Sequence, residues 1–404
     1  MKILKKVLAM SMALALAFNF AACKSEKKAE EKDTKAERTA ESINEQVKEA
    51  KEEQEKNDYE KVDKDGKRTI VDMASNKVTI PDKVNSCVVI SIYPLSAAIS
   101  NYLGSAEKII GMDQFAQQAA KVGLLGKLYP EILNAKTDFV DGENINIESI
   151  MKLKPDVVFY FARNTKHKEM LENAGIPAIA MEAQGRHYNC IETFNDWFKV
   201  FKQVWPHEGL DSDKITDYAN KVYDKVQERV KDIPEEEKVK ALSIFRYTDS
   251  DLMVSGKNFF GNWWIEAAGG KNVADGIDVN GPQPASMEDI YKWDPDVIML
   301  TNFSPAQPEN LYENTFGDKW ENVAAVKNKR VHKMPLASYR TFTPGVDTPV
   351  TLLWVAQTLY PEKFSDIDIK KEFHDYYKDF FNVDLTDEDL ENIVNPPKEA
   401  GKGY

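Results

Sequence analysis

Four arginines, Arg163, Arg186, Arg246 and Arg340, each fall just past or at the end of an apolar run, and each keeps aromatic company. Arg163 follows DVVFYFA. Arg186 follows PAIAMEAQ, with His187 and Tyr188 next to it. Arg246 ends ALSIFR and precedes Tyr247, and Arg340 stands beside Tyr339 after RVHKMPLA. Tyr93 closes an earlier run, SCVVISIY, and the segment FFGNWW supplies Trp263 and Trp264. A guanidinium offers planar, paired donors that match carboxylate, catecholate or phosphate-like oxygens, and it also stacks on rings. Ligands of open α/β sheets bind beyond the carboxyl ends of the strands. Such a set therefore reads as an anion site on a chain that is itself acidic, with formal charge −13. Four guanidiniums brought together repel one another, so the ligand must bring the negative charge. Neighbouring tryptophans on a helix diverge by about 100°, so at most one of Trp263 and Trp264 faces a ligand. His187 and Tyr339 are the side chains able to ligate a haem iron or a metal left open by a small chelator. A lone loop histidine more often makes hydrogen bonds, and His332, inside a strand, reads as structural. No CxxC or Cys/His cluster points to a direct metal site.

The elements that must position these residues repeat. ESIMKLKPDVV at 148–158 is echoed by EDIYKWDPDVI at 288–298, an offset of 140 residues. In each copy a Glu opens a short amphipathic turn and a Pro ends it, because Pro lacks the N–H and pushes its predecessor to an extended conformation. An apolar run then follows, of the kind buried on both faces of a sheet. Around the first copy, strands at 86–93, 108–113, 156–162 and 177–182 alternate with helices, which argues for a parallel sheet with crossover connections. Around the second, strands at 241–247, 252–256, 296–303 and 330–337 repeat the plan, and VTLLWVAQTLYPEKF opens a C-terminal helical section. Between the copies, Ile215, Tyr218, Val222, Val226 and Val230 recur at helical spacing in one long amphipathic helix with a Ser or Asp N-cap. The fold class is α/β, with two lobes joined by this single helix.

The first 22 residues pair a basic start, MKILKK, with an apolar run that leads into AAC at 21–23, a secretory signal too short for a stable membrane span. Removing it takes away Lys2, Lys5 and Lys6 and moves the formal charge to −16. Residues 23–65 form a charged tether. Positions 24–65 hold 11 Lys or Arg and 15 Asp or Glu with Tyr59 as the one aromatic, too little apolar surface to offset ordering entropy. Cys87 and Cys190 read as buried thiols, with a bridge between them as the alternative. The acidic balance and lack of a basic stripe argue against nucleic acid. No GxSxG elbow, HExxH helix or P-loop supports an extracytoplasmic enzyme.

The AAC ending, the duplicated E-x-I-x-x-x-x-PD-[VI]-[VI] units, the single long helix and the ending LLWVAQTLYPEKF together resemble the substrate-binding lipoproteins of ABC importers for ferric siderophores, haem and cobalamin. The resemblance covers roughly 66–394. It implies a signal at 1–22 with lipid on Cys23, an N-terminal Rossmann-like lobe at 66–208, a rigid bridging helix at 209–236 and a C-terminal lobe at 237–404. It also implies a ligand cleft between the lobes, an extracytoplasmic, lipid-anchored location, and docking of Glu148 and Glu288 onto an ABC permease dimer with its ATPase. With the arginines, the first expectation is capture of an anionic iron chelate of the ferric-siderophore type, with no intrinsic cofactor. Haem, a corrinoid and a small oxyanion such as molybdate are the alternatives, cobalamin being disfavoured because it carries little negative charge.

Overall fold

The computed structural model describes residues 59–401 apart from Glu143; the expected signal, Cys23 and most of the charged tether lie outside them. The described chain opens on an antiparallel hairpin, β1 (Lys67–Val71) and β2 (Lys77–Pro81), with Lys67 opposite Pro81. Sequence reading did not anticipate this hairpin, because its strands are only half buried. It is tied down by Arg68, a buried guanidinium that donates to the carbonyls of Asp82 (2.9 Å), Gln203 and Val204. The last two carbonyls end the helix Cys190–Val204, where a cation meets the negative end of the helix dipole.

Next come β3 (Cys87–Val89), β4 (Ile109–Gly111), the two-residue pair β5 (Val140–Asp141) and β6 (Asn144–Ile145), then β7 (Val157–Phe161) and β8 (Ala178–Met181). The first lobe's sheet has the order β4-β3-β7-β8, parallel throughout. In β7, Val157 and Phe159 enter one apolar cluster while Val158 and Tyr160 enter another, the period-2 signature of a strand covered on both faces.

The second lobe holds β9 (Lys240–Tyr247), β10 (Leu252–Ser255), β11 (Lys271–Asn272), β12 (Pro282–Pro284), β13 (Val297–Leu300) and β14 (Val331–Lys333), in the order β12-β10-β9-β13-β14 with β11 also on β9. Here the expected repetition of the first lobe fails in part. β9, β13 and β14 are parallel, but β10 runs antiparallel to both β9 and β12. Only residues 248–251 separate β9 from β10, too few for the crossover that a parallel pair needs.

The two copies of the duplicated motif become the equivalent helices Ile147–Leu153 and Met287–Trp293. Each ends in a left-handed residue, Lys154 or Asp294, before its parallel strand. The long helix spans Ser212–Val230 and buries Ile215, Ala219, Val222, Val226 and Val230. It packs on Cys190–Val204 from the first lobe's half of the chain and on Thr348–Leu359 from the second, so the two-lobed α/β architecture is braced along it. Cys87 and Cys190 are separate buried thiols, and burial pushes that of Cys87 up to about 12. Among the described residues no helix is long and apolar enough to cross a membrane.

Candidate ligand-binding site

The loops that leave the carboxyl ends of β13 and β14 are built around buried polar groups. Asn302 donates through Nδ2 to the carbonyls of Met334 (2.7 Å) and Pro335 (2.9 Å), stapling one loop to the other. Lys333, the last residue of β14, is 6% exposed and turns its ammonium to the carbonyls of Thr301 (2.9 Å), Ser304 (2.7 Å) and Ala306 (2.7 Å). Burial pushes its pKa down to about 7, helped by the nearby Arg340 charge. Beyond β14, Ser338 donates through its backbone N (3.1 Å) and Oγ (2.6 Å) to one oxygen of Asp347, and Tyr377 donates to the other at 2.5 Å. Burial raises the Asp347 carboxyl above the usual range against these hydrogen bonds. This pinned segment carries Tyr339 and Arg340.

Arg340 is 1% exposed. Its guanidinium lies 4.9 Å from the Phe303 ring centre and 5.8 Å from that of Tyr339, and its Nε and Nη2 donate to the Ala400 carbonyl at 3.4 and 3.2 Å. Phe303 stacks on Phe245 at 5.0 Å, Phe245 meets Phe259 at 5.5 Å, and Phe342 touches all three rings. The chain of rings ends on a residue of the first lobe, Tyr188, which lies 6.0 Å from Phe259 and 5.1 Å from Phe260. To reach them the loop after β8 places Arg186, His187 and Tyr188 in the left-handed region, at φ of 52°, 52° and 62°. Three such non-glycine residues in succession are rare and costly. The lobes also meet where Leu124 donates its backbone N–H to the Ala337 carbonyl at 3.0 Å.

The other residues singled out in the sequence are placed as follows. Tyr93 is half-buried at the end of the first strand run, edge-on to Phe115 at 5.8 Å. Arg163 and Arg186 keep half or more of their side chains in solvent. Arg163 pairs with Glu182 at 2.8 Å and Arg186 with Asp196 at 2.9 Å. His187 is exposed. Arg246 pairs with Asp251, while its Nε is buried without a hydrogen-bond partner. Arg163, Arg186 and Arg246 thus have acids of their own lobe for company, which relieves locally the mutual repulsion expected of the set. Trp264 is fully buried and donates its indole N–H to the Phe342 carbonyl at 2.7 Å, while Trp263 is half-exposed beside it. Tyr247 lies in the opposite apolar cluster from Phe245, its hydroxyl taken up by Asp318 (3.0 Å) and the Trp320 indole (2.9 Å). Glu148 and Glu288 are exposed in the first turns of the two equivalent helices. Among the described residues no group of three or more His, Cys, Asp or Glu is arranged to hold a metal ion.

Lys333, Asn302, Phe303, Phe342 and Asp347 were not singled out in the sequence. Lys333 left a trace, a lysine inside an otherwise buried strand run; the others sit in loops whose partners are distant in sequence.

A family model described as periplasmic binding protein matches residues 89–336, well over half of the chain. The chain belongs to the periplasmic binding protein family. Within that family it is a substrate-binding protein of the ABC-transporter kind. The molybdate-binding protein MolA of Haemophilus influenzae is 28% identical over 340 residues, covering 78% of this chain and 91% of MolA. A solved structure of MolA bound to molybdate superposes with TM-score 0.64 and 25% identity, covering 79% of this chain and 99% of that one. A periplasmic solute binding protein from Veillonella parvula gives TM-score 0.73 at 27% identity, covering 81% and 97%. Both solved relatives share the two-lobed α/β fold described above.

Proposed function

We propose that this periplasmic binding protein captures a small oxyanion of the molybdate class outside the cytoplasmic membrane and delivers it to an ABC permease. The observation that carries the reading is Arg340: a guanidinium almost wholly withdrawn from water, at the carboxyl end of a parallel sheet, backed by aromatic rings and with a second buried cation, Lys333, close by. A guanidinium held in low dielectric at a sheet's carboxyl end forms strong, charge-assisted hydrogen bonds to a compact oxyanion. The extent of the likeness to MolA supports the same ligand class. A lipid on Cys23 would tether the protein to the membrane. Glu148 and Glu288, at equivalent positions of the duplicated helices, would meet the two halves of the permease.

The larger reading, an anionic ferric chelate, draws its support from Arg163 and Arg186, whose half-exposed side chains would greet a bulky ligand at the rim. Isothermal titration calorimetry of the purified protein with molybdate, tungstate, sulfate, haem and a panel of ferric siderophores separates the two. Saturable one-to-one binding of molybdate or tungstate is expected. Silence with every oxyanion, with saturable tryptophan quenching by a ferric chelate, would replace the first reading with the second.

A further inference from the structure

The duplicated helices agree in more than their sequence. In Ile147–Leu153 and in Met287–Trp293 the burial of successive residues runs identically, position by position. Ile150 seats the first helix in the core of the first lobe and Ile290 the second in that of the second lobe, both at 0% exposure. On the outer side each helix leaves the same kinds of side chain in water: Glu148, Met151 and Lys152 in one, Glu288, Tyr291 and Lys292 in the other. Residues three and four apart are neighbours on a helix surface, so each trio forms one patch, an apolar group flanked by an acid and a base. Met151 is 49% exposed and Tyr291 44%. Single apolar residues on a surface are ordinary, but these two occupy equivalent positions. The copies differ in residue there, yet both residues are large, apolar and open to solvent. Both patches are also held in place. Asn146 caps the first helix by accepting from the Ser149 N–H at 3.0 Å, and Ser286 and Asp289 close a capping box on the second. The Tyr291 hydroxyl donates to the Lys319 carbonyl at 2.6 Å, which fixes the direction of the ring.

We infer that Met151 and Tyr291 are paired apolar anchors, one per lobe, that enter two equivalent sockets of the permease dimer, each socket apolar at its floor and basic at its rim. The inference rests on the reading that Glu148 and Glu288 meet the permease, and it adds the groups that supply most of the hold. An exposed carboxylate at an interface rim steers and orients a partner but contributes little once salt screens it. A large side chain that leaves water on docking is the kind that carries affinity. Two like patches on one chain call for a partner that offers the same socket twice, as a dimer does. The fixed ring of Tyr291 loses less freedom on docking than the flexible, unbranched Met151, so the anchor of the second lobe is the stronger.

The test measures binding of the full mature chain, carrying Cys23→Ser to keep it free of lipid, to the permease–ATPase complex it serves, purified in nanodiscs, at several salt concentrations. Tyr291→Ser should weaken binding at least about tenfold and Met151→Ser at least about threefold, both with the salt dependence unaltered. Met151→Leu and Tyr291→Phe keep the apolar bulk and should stay within about threefold of wild type. Glu148→Gln with Glu288→Gln should instead flatten the salt dependence. All these residues are exposed, so each variant should melt close to the wild-type temperature. Wild-type affinity in the double variant Met151→Ser, Tyr291→Ser, with a loss in the glutamate pair, overturns the inference and leaves the docking of the glutamates standing. Wild-type affinity in both pairs overturns the two together. Equal binding to nanodiscs without permease, or self-association of the chain that the serine variants abolish, also overturns the inference, because the patches would then meet lipid or a second copy.

Discussion

The four arginines should differ sharply when each is replaced in turn by methionine, which keeps length and removes charge. Arg340 is 1% exposed, so a bond from its guanidinium to an oxyanion forms in low dielectric, and each such charge-assisted bond contributes about 1.5–3 kcal/mol. With two of its N–H groups on the ligand, Arg340→Met should weaken molybdate binding by at least about 3 kcal/mol, more than a hundredfold in Kd. Arg163 and Arg186 have side chains 50% and 55% exposed and are paired with Glu182 and Asp196. Exposed pairs of this sort are worth about 0–1 kcal/mol, so their replacement should change Kd by less than about fivefold. Arg246 lies between these cases, since Asp251 cancels much of its charge. Calorimetric titration of the four variants reads the ranking directly. A thermal melt guards against misfolding: Arg340→Met leaves the Ala400 carbonyl short of a donor, a cost of about 1–3 kcal/mol, and the protein should still unfold cooperatively. Wild-type affinity in Arg340→Met, with a large loss in Arg163→Met or Arg186→Met, would refute the reasoning and move the ligand to the rim.

Asp347→Asn places an amide N–H₂ where one carboxylate oxygen accepts from Ser338 or Tyr377; a loss of about 2 kcal/mol in denaturant unfolding is expected, along with weaker ligand binding because the Arg340 segment is no longer pinned. Gly269 has φ of +80°, and a Cβ there would fall 2.5 Å from that of Val230 at the end of the long helix. Gly269→Ala should therefore cost at least about 2 kcal/mol, while Gly276→Ala, with nothing within 4 Å, should stay within about 0.5 kcal/mol by chemical denaturation. His332 has its pKa lowered from 6.5 to about 4 by burial and then by Arg330. The unfolded chain takes up this proton first as pH falls, so stability should drop between about pH 6.5 and 4, by up to about 3 kcal/mol from this group. His332→Phe should flatten that part of the stability profile, and an unchanged slope in the variant would assign it to other groups.

What was legible in the sequence, and what was not, follows from the reach of each signal. The buried parallel strands announced themselves as apolar runs, the duplicated motif marked equivalent helices, and the regular spacing from Ile215 to Val230 marked the long helix. Tyr247 shows where such reading stops. Strict alternation along β9 would put it on the face of Ala241 and Phe245. The register against β10 shifts instead, with Arg246 opposite Met253 but Ile244 opposite Val254. Phe245 is thus the extra residue of a bulge, and Tyr247 returns to the face of Leu242 and Ile244. A bulge is a pairing property of two strands, and one strand's composition does not encode it. The ion pairs that occupy Arg163, Arg186 and Arg246 were hidden for a similar reason: acids are abundant along the whole chain, and only the fold decides which of them stands within reach.

The partner each buried cation finds bears on the choice of ligand. An acid beside an arginine cancels its formal charge, which leaves hydrogen-bond geometry but little field for an incoming anion. Lys333 is met instead by three backbone carbonyls, which satisfy its donors without an opposite charge; burial first, and the Arg340 charge second, bring its pKa down to about 7, so near neutral pH its ammonium is readily tipped between charged and neutral. This poise has a consequence for pH. A dianion bound beside Lys333 favours the protonated ammonium, so binding should draw a proton near pH 7 to 8, where the free protein holds Lys333 only partly charged. Molybdate titrations in buffers of different ionisation enthalpy would reveal the uptake, and affinity should weaken as pH rises through that range. In Lys333→Met both the uptake and the pH dependence should vanish. Binding that takes up no proton in the wild type would place the anion out of reach of Lys333, and with it out of the buried site.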